Sequence, residues 1–128
     1  MKLTLILVFL FLGLQQKIPW NSPKEADNIQ NPLKSDPVNI KAGNDLYTKY
    51  CLMCHGAKGK GDGPAGVSLV PHPGNLLSSR IAQSTDGSLY WKIKQGKAPM
   101  PAYVITDTQR WSLVNYIREL QKVNGISK

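Results

Sequence analysis

The sequence is short of the ligands that most metal or disulfide architectures need: its 128 residues hold two cysteines, Cys51 and Cys54, and two histidines, His55 and His72. A structural zinc site takes four ligands at characteristic spacings, and the two histidines stand too far apart for a finger. A thioredoxin-like dithiol calls for a βαβ setting that the sequence does not offer, and a disulfide would leave the histidine beside Cys54 without a purpose. No cysteine stands next to the apolar start, which excludes a lipid anchor there. No repeat or low-complexity tract is visible. No nucleic-acid motif accompanies the basic balance of 16 Lys and Arg against 8 Asp and Glu. The glycine-rich stretch 56–66 lacks both the G-x-x-x-x-G-K-[ST] spacing and the preceding strand of a phosphate-cradling loop. Residues 3–14 are twelve mostly apolar positions, about 18 Å as a helix against a hydrocarbon core of roughly 30 Å. That is too short to cross a bilayer comfortably.

What is present is one dense element, Cys51-Leu52-Met53-Cys54-His55. Two thiols separated by two residues can each add across one vinyl group of a haem, and the histidine directly after them is then held beneath the iron, the pattern of covalent c-type attachment. Both cysteines are consumed, so one haem c with its iron is the expected cofactor. A second ligand is offered by Met100 in Gly96-Lys97-Ala98-Pro99-Met100-Pro101. Prolines on both sides exclude a helix interior and stiffen the loop that carries this soft thioether. Met/His ligation is a known haem arrangement and raises the reduction potential. Two plainer readings compete: Met100 as a filler of core gaps, and His72, between two prolines, as either an iron ligand or an exposed loop residue. Met53 lies inside the attachment motif, too close to His55 to reach the opposite face of the ring.

Taken in order, residues 1–15 read as a secretory signal, or as a leader kept as a weak membrane anchor, because residues 13–16 lack a small-x-small cleavage pattern. A buried helix of the fold is the alternative. Export suits haem attachment, which in most bacteria takes place outside the cytoplasmic membrane. Residues 16–38, rich in proline and asparagine, read as an arm over the surface with Trp20, Ile29 and Leu33 as its pins. Residues 39–128 form the haem domain. A chain of this size buries roughly 60–70% of its unfolded surface, so a large apolar cofactor supplies a substantial part of the core. Over 40–51, Ala42, Leu46 and Tyr50 form a helical stripe with Gly43 and Tyr47 beside it. Residues 67–77, broken by Pro71, Pro73 and Gly74, read as extended. Ser84 or Asp86 caps a helix running to about Gln95. Thr106 and Gln109 form a capping box. It opens a helix that is apolar through Trp111, Leu113, Val114, Tyr116, Ile117 and Leu120, with Arg110, Arg118 and Glu119 outward and Gly125 at its end. With no strand pattern between these segments, the fold class is all-α.

With the motifs in this order, residues 40–120 resemble a class I, single-haem bacterial cytochrome c of the periplasmic type. The resemblance implies a cytochrome c fold of three to four helices wrapped around the covalent haem, the N- and C-terminal helices crossing. It implies that Gly43 and Tyr47 meet Leu113 and Tyr116 at that crossing, and that His55 is the proximal and Met100 the distal ligand. It also implies that the Pro64 carbonyl accepts the Nδ1 proton of His55. Trp91 and Tyr103 are candidates for packing on the ring or bonding a propionate.

The function this implies is periplasmic one-electron transfer rather than catalysis, in the periplasm or at the outer face of the cytoplasmic membrane. Lys58, Lys60, Lys92, Lys94 and Lys97 flank the segments expected at the haem edge. They would steer the protein to acidic patches on redox donors and acceptors, a terminal oxidase or a quinol-oxidising complex among them. A generally solvated basic surface is the plainer account. The leader adds a route to membrane association. Two other classes stay open: a haem catalyst with a labile sixth ligand, and a haem subunit of a larger redox complex docked through the arm.

Overall fold

Two local signals fix where the first long helix, α1 (Pro37–Tyr50), begins. The Asp36 carboxylate accepts from the Asn39 N–H at 2.9 Å, and Pro37 sits in the first turn, where its missing N–H costs nothing. The computed structural model describes residues 19–127; the leader reading and residues 16–18 of the arm fall outside them. The other elements are α2 (Leu52–His55), α3 (Ser79–Ala82), α4 (Asp86–Gln95) and α5 (Asp107–Val123), preceded by a 3-10 turn at Lys24–Asn28. Because α2 and α3 are single turns, the helical frame is α1, α4 and α5. The described residues contain no sheet, only an isolated antiparallel bridge between Lys97 and Met100. No helix among them is long and apolar enough to cross a membrane.

The N-terminal and C-terminal helices cross at Gly43. A Cβ there would lie 2.0 Å from the Ser112 carbonyl oxygen and 2.7 Å from Tyr116 Cβ, so only glycine allows the backbones this close. Tyr47 packs on Tyr116 with ring centroids 5.2 Å apart, and Leu113 and Val114 are fully buried beneath them. The crossing thus gathers the four residues that the resemblance named. Helix α4 completes the core through Leu89, Tyr90 and Ile93. The Tyr90 ring stacks on Trp111 at 4.2 Å, a geometry worth about 0.5–1.5 kcal/mol beyond the area it buries.

Three local expectations are corrected. The cap of α4 is Thr85, whose hydroxyl accepts from the Ser88 N–H at 3.0 Å; Ser84 is occupied with the Arg80 carbonyl and Asp86 with Arg118. Arg110, expected outward, is buried. It pairs with Asp107 at 2.5 Å, bonds the Ile105 carbonyl at 2.9 Å and lies over the Tyr90 ring. Arg118 likewise turns inward, bonding Asp86, Gln121 and the carbonyls of Ala82 and Ser84. Periodicity assigns a guanidinium to solvent, but its stem is apolar and its fork can be satisfied by loop carbonyls, so Arg110 is buried and Arg118 half-buried, each with partners. The capping box at Thr106 and Gln109 is present in both halves. Helix α5 stops at Val123, with Gly125 at φ 73° just beyond.

The arm lies along α4 and α5. Ala26, in the 3-10 turn, is 2% exposed. Its carbonyl sits where a Cβ on Gly87 would be 2.0 Å away. Asn31 donates to the Asn115 side chain at 2.7 Å, and Asn115 donates to the Lys34 carbonyl at 3.2 Å. Thr85 donates to Asp27 at 2.7 Å, and the hydroxyls of Ser22 and Ser88 meet at 2.6 Å. Of the three expected pins, Leu33 packs on the core, Trp20 is half-buried and Ile29 is exposed. Ala26, too small to draw notice in a hydrophobic pattern, is the deepest contact.

Candidate haem site

Cys51 ends α1 and caps α2, so the two thiols and the imidazole are presented by one turn that α1 delivers rigidly. The turn is closed by His55 N–H to the Cys51 carbonyl at 2.8 Å. Cys51 and Cys54 are both free thiols and half-buried. Burial pushes the Cys51 thiol up to about 12, with the neighbouring Cys54 adding to it.

A turn this short leaves carbonyls unsatisfied, and the glycine-rich loop supplies their donors. Gly61 N–H reaches the His55 carbonyl at 2.8 Å, Gly63 N–H the Cys54 carbonyl at 3.1 Å and Ala65 N–H the Met53 carbonyl at 2.8 Å. A Cβ on Gly63 would be 2.4 Å from the Met53 carbonyl oxygen, so the loop can close over α2 only with glycine there. From the other side, the Tyr47 hydroxyl donates to the Gly56 carbonyl at 2.6 Å in the interior. Burial, then Cys51, raises the pKa of that phenol, which keeps it a donor.

His55 Nδ1 lies 3.1 Å from the Gly74 carbonyl oxygen. A carbonyl only accepts, so Nδ1 carries the proton and Nε2 presents its lone pair. Burial lowers the His55 pKa, against the opposing effect of that bond, which favours the neutral ring a metal needs. The acceptor expected from the resemblance was Pro64; the structure gives the bond to Gly74 instead. Bonds from Gly63 and Ala65 to α2 hold the loop in a turn that leaves Pro64 exposed, whereas Leu76 N–H to the Gly59 carbonyl at 2.7 Å draws the 74–76 segment back across the loop. The Pro73-Gly74 pair was the local signal of that turn. His72 is exposed, its Nδ1 near the Pro73 carbonyl.

Met100 is half-buried against the core. Lys97 and Met100 exchange backbone bonds at 2.8 and 2.9 Å, closing a tight hairpin that carries the thioether. Three residues on, the Tyr103 hydroxyl donates to the Tyr50 carbonyl at 2.8 Å, and the two rings lie 4.8 Å apart. Tyr103 therefore fastens the methionine loop to the residue just before Cys51. Burial raises its phenol, and both thiols add to the effect. Trp91 is half-buried on α4.

These residues fit a haem. The thiols are unpaired and spaced for attachment, the imidazole is oriented through Nδ1, and the thioether loop is tied to the same helix end. Leu76, Leu77, Ile81 and Ile105 pack on the core yet stay half exposed, apolar surface that a porphyrin would cover. Of the five lysines expected near the haem edge, Lys58, Lys60, Lys94 and Lys97 are exposed, whereas Lys92 is half-buried between Arg80 and Asp27.

An all-helical fold with crossing end helices, built around a Cys-x-x-Cys-His turn, is that of a c-type cytochrome. Residues 38–117 match the model of the family described as cytochrome c oxidase, cbb3-type, subunit III, and the chain belongs to that family. Membership implies a covalently bound haem c and makes this an electron-transfer haem protein. Among solved structures, a chain of the reducing HAO-like protein complex of Kuenenia stuttgartiensis is 25% identical with a TM-score of 0.62, over 72% of this chain and 49% of that one. This chain thus spans about half the length of that relative. A search of curated proteins returned no match.

Proposed function

We propose that the protein is a one-electron carrier of the periplasm or the outer face of the cytoplasmic membrane, passing electrons between respiratory-chain partners. Cys51 and Cys54 would hold one haem c through thioethers, and His55 Nε2 and Met100 Sδ would ligate its iron. When bound, the haem supplies an Fe(III)/Fe(II) couple. The observation that carries this reading is the tie from Tyr103 to Tyr50, which fixes the methionine loop to the helix end that bears the thiols and the imidazole. The protein's own contribution is to hold both ligands still. Gly74 fixes the imidazole ring, the Lys97–Met100 hairpin limits the thioether, and a site filled on both faces leaves no position for a substrate. The exposed Lys58, Lys60, Lys94 and Lys97 give acidic donors and acceptors a basic surface to approach.

Potentiometric titration of the haem-loaded protein tests this. A single one-electron wave is expected, with slow cyanide binding and with electron exchange to an acidic partner that slows as salt rises. Rapid cyanide binding to high-spin iron would instead mark a catalyst. The family description and the solved relative, part of a complex, favour a second reading: a haem module of a larger redox assembly. Docking of that module through the arm is disfavoured by the arm's contacts with α4 and α5 of its own domain. Purification under native expression separates the two readings, because a shuttle elutes alone and a module elutes with its assembly.

A further inference from the structure

The arm does more than cover α4: with α3 it walls a polar cavity of about 300 Å³ on the molecule's surface. Asn21 and Asp27 line it from the arm, Arg80 and Gln83 from α3 and the residue after it, and Lys92 from α4. Arg80, which is exposed, and Lys92, which is half-buried, line the same space, and among the described residues neither takes part in an ion pair or a side-chain hydrogen bond. Among the described lining residues Asp27 is the one carboxylate, and its Oδ1 already accepts from Thr85. Two positive charges against one negative leave the cavity with a single excess positive charge. Burial and the repulsion of Arg80 depress the Lys92 pKa, only partly opposed by Asp27. An anion in the cavity would relieve both.

We propose that this cavity binds a singly charged phosphate oxyanion, held by the Arg80 guanidinium fork and the Lys92 ammonium, with the Asn21 and Gln83 amides as further donors. A guanidinium matches two oxygens of a tetrahedral anion and the ammonium a third, a pairing suited to a phosphate ester or dihydrogen phosphate. The excess charge of one favours such a monoanion over more highly charged species. The chemistry has two sources, free phosphate and the phosphodiester of a lipid headgroup. Asn21 lies seven residues after the apolar stretch 3–14, a reach of at most about 25 Å. The arm wall lies outside the family match at 38–117, so the complete cavity is a property of this chain rather than of the shared domain. Nothing in the proposal depends on which side chains ligate iron.

Calorimetric titration of the haem-loaded full chain at constant chloride tests it, with inorganic phosphate and glycerophosphoglycerol as separate probes. Saturable binding of at least one probe is expected, weakened about tenfold or more by Arg80→Gln and by Lys92→Gln and unchanged by Lys122→Gln, an exposed lysine away from the cavity. Unaltered far-UV circular dichroism and haem absorption in the variants show that the fold is intact. Tighter binding of the diester, together with retention on phosphatidylglycerol vesicles that Lys92→Gln reduces and Lys122→Gln does not, identifies the lipid source. Binding of inorganic phosphate alone identifies the free anion. No saturable binding of either probe, or equal weakening by Lys122→Gln, would overturn the proposal.

Discussion

At the scale of single residues, two hydroxyls do work that their sequence positions do not advertise. Tyr103 stood out in the sequence as an aromatic near the haem loop. Its partner, the Tyr50 carbonyl 53 residues earlier, was not legible, because no local spacing relates the two. Tyr103→Phe removes one hydrogen bond and leaves a partly buried carbonyl unpaired, so a loss of about 0.5–1.5 kcal/mol is expected in denaturant unfolding. Weaker thioether-to-iron absorption should accompany it, because the loop is held less firmly; Tyr103→Phe with native absorption would remove that role. The second hydroxyl belongs to Tyr90, which donates to Asp107 at 2.6 Å. That bond holds the Asp107 carboxyl below the usual range, opposed by desolvation and helped by Lys94 and Arg110. A carboxyl depressed by folding stabilises the fold above its unfolded pKa of about 3.9 and loses that contribution as pH falls through the folded value. Asp107→Asn should therefore lower Tm at neutral pH, with the gap to wild type closing in acid. A gap independent of pH would contradict the assignment.

At the scale of elements, what was legible was whatever is encoded within one turn of helix. The capping box of α5 and its apolar face could be read directly, because Thr106, Gln109 and the apolar stripe lie within one helix. The cap of α4 was ambiguous among neighbouring polar residues, and a local partner for Ser84 and a distant one for Asp86 leave the role to Thr85. The acceptor for His55 was misplaced for a similar reason: Pro64 is near in sequence, but Gly74 is carried to the ring by a bond between two loops. The arm is the clearest case. Its composition marked it as irregular, yet its contacts are hydrogen bonds to residues up to 84 positions away. Asn31→Ala leaves the buried Asn115 amide short of a partner and should cost about 1–3 kcal/mol, read as a shift of the denaturation midpoint. An unchanged midpoint would show that the arm is only laid on the surface.

At the scale of the whole molecule, the crossing of α1 and α5 at Gly43 sets the position of everything that follows Tyr50. The turn bearing the thiols inherits its direction from α1, the glycine-rich loop closes that turn, and Tyr103 brings the methionine loop to the same helix end. In the proposed function, residues about 50 positions apart thereby serve one site; their order could be read from the sequence, whereas the Tyr103–Tyr50 bond could not. Among the basic residues, Lys58, Lys60, Lys94 and Lys97 are exposed, and Arg80 and Lys92 line the cavity beside the arm. The proposed function has the His55 imidazole and the Met100 thioether both ligating the iron. Absorption spectroscopy of the ferric, haem-loaded protein and its Met100→Ala variant tests this most directly. The wild type should be low-spin with a thioether-to-iron charge-transfer band, and the variant should lose that band and bind cyanide faster. A variant with the wild-type spectrum would contradict the account.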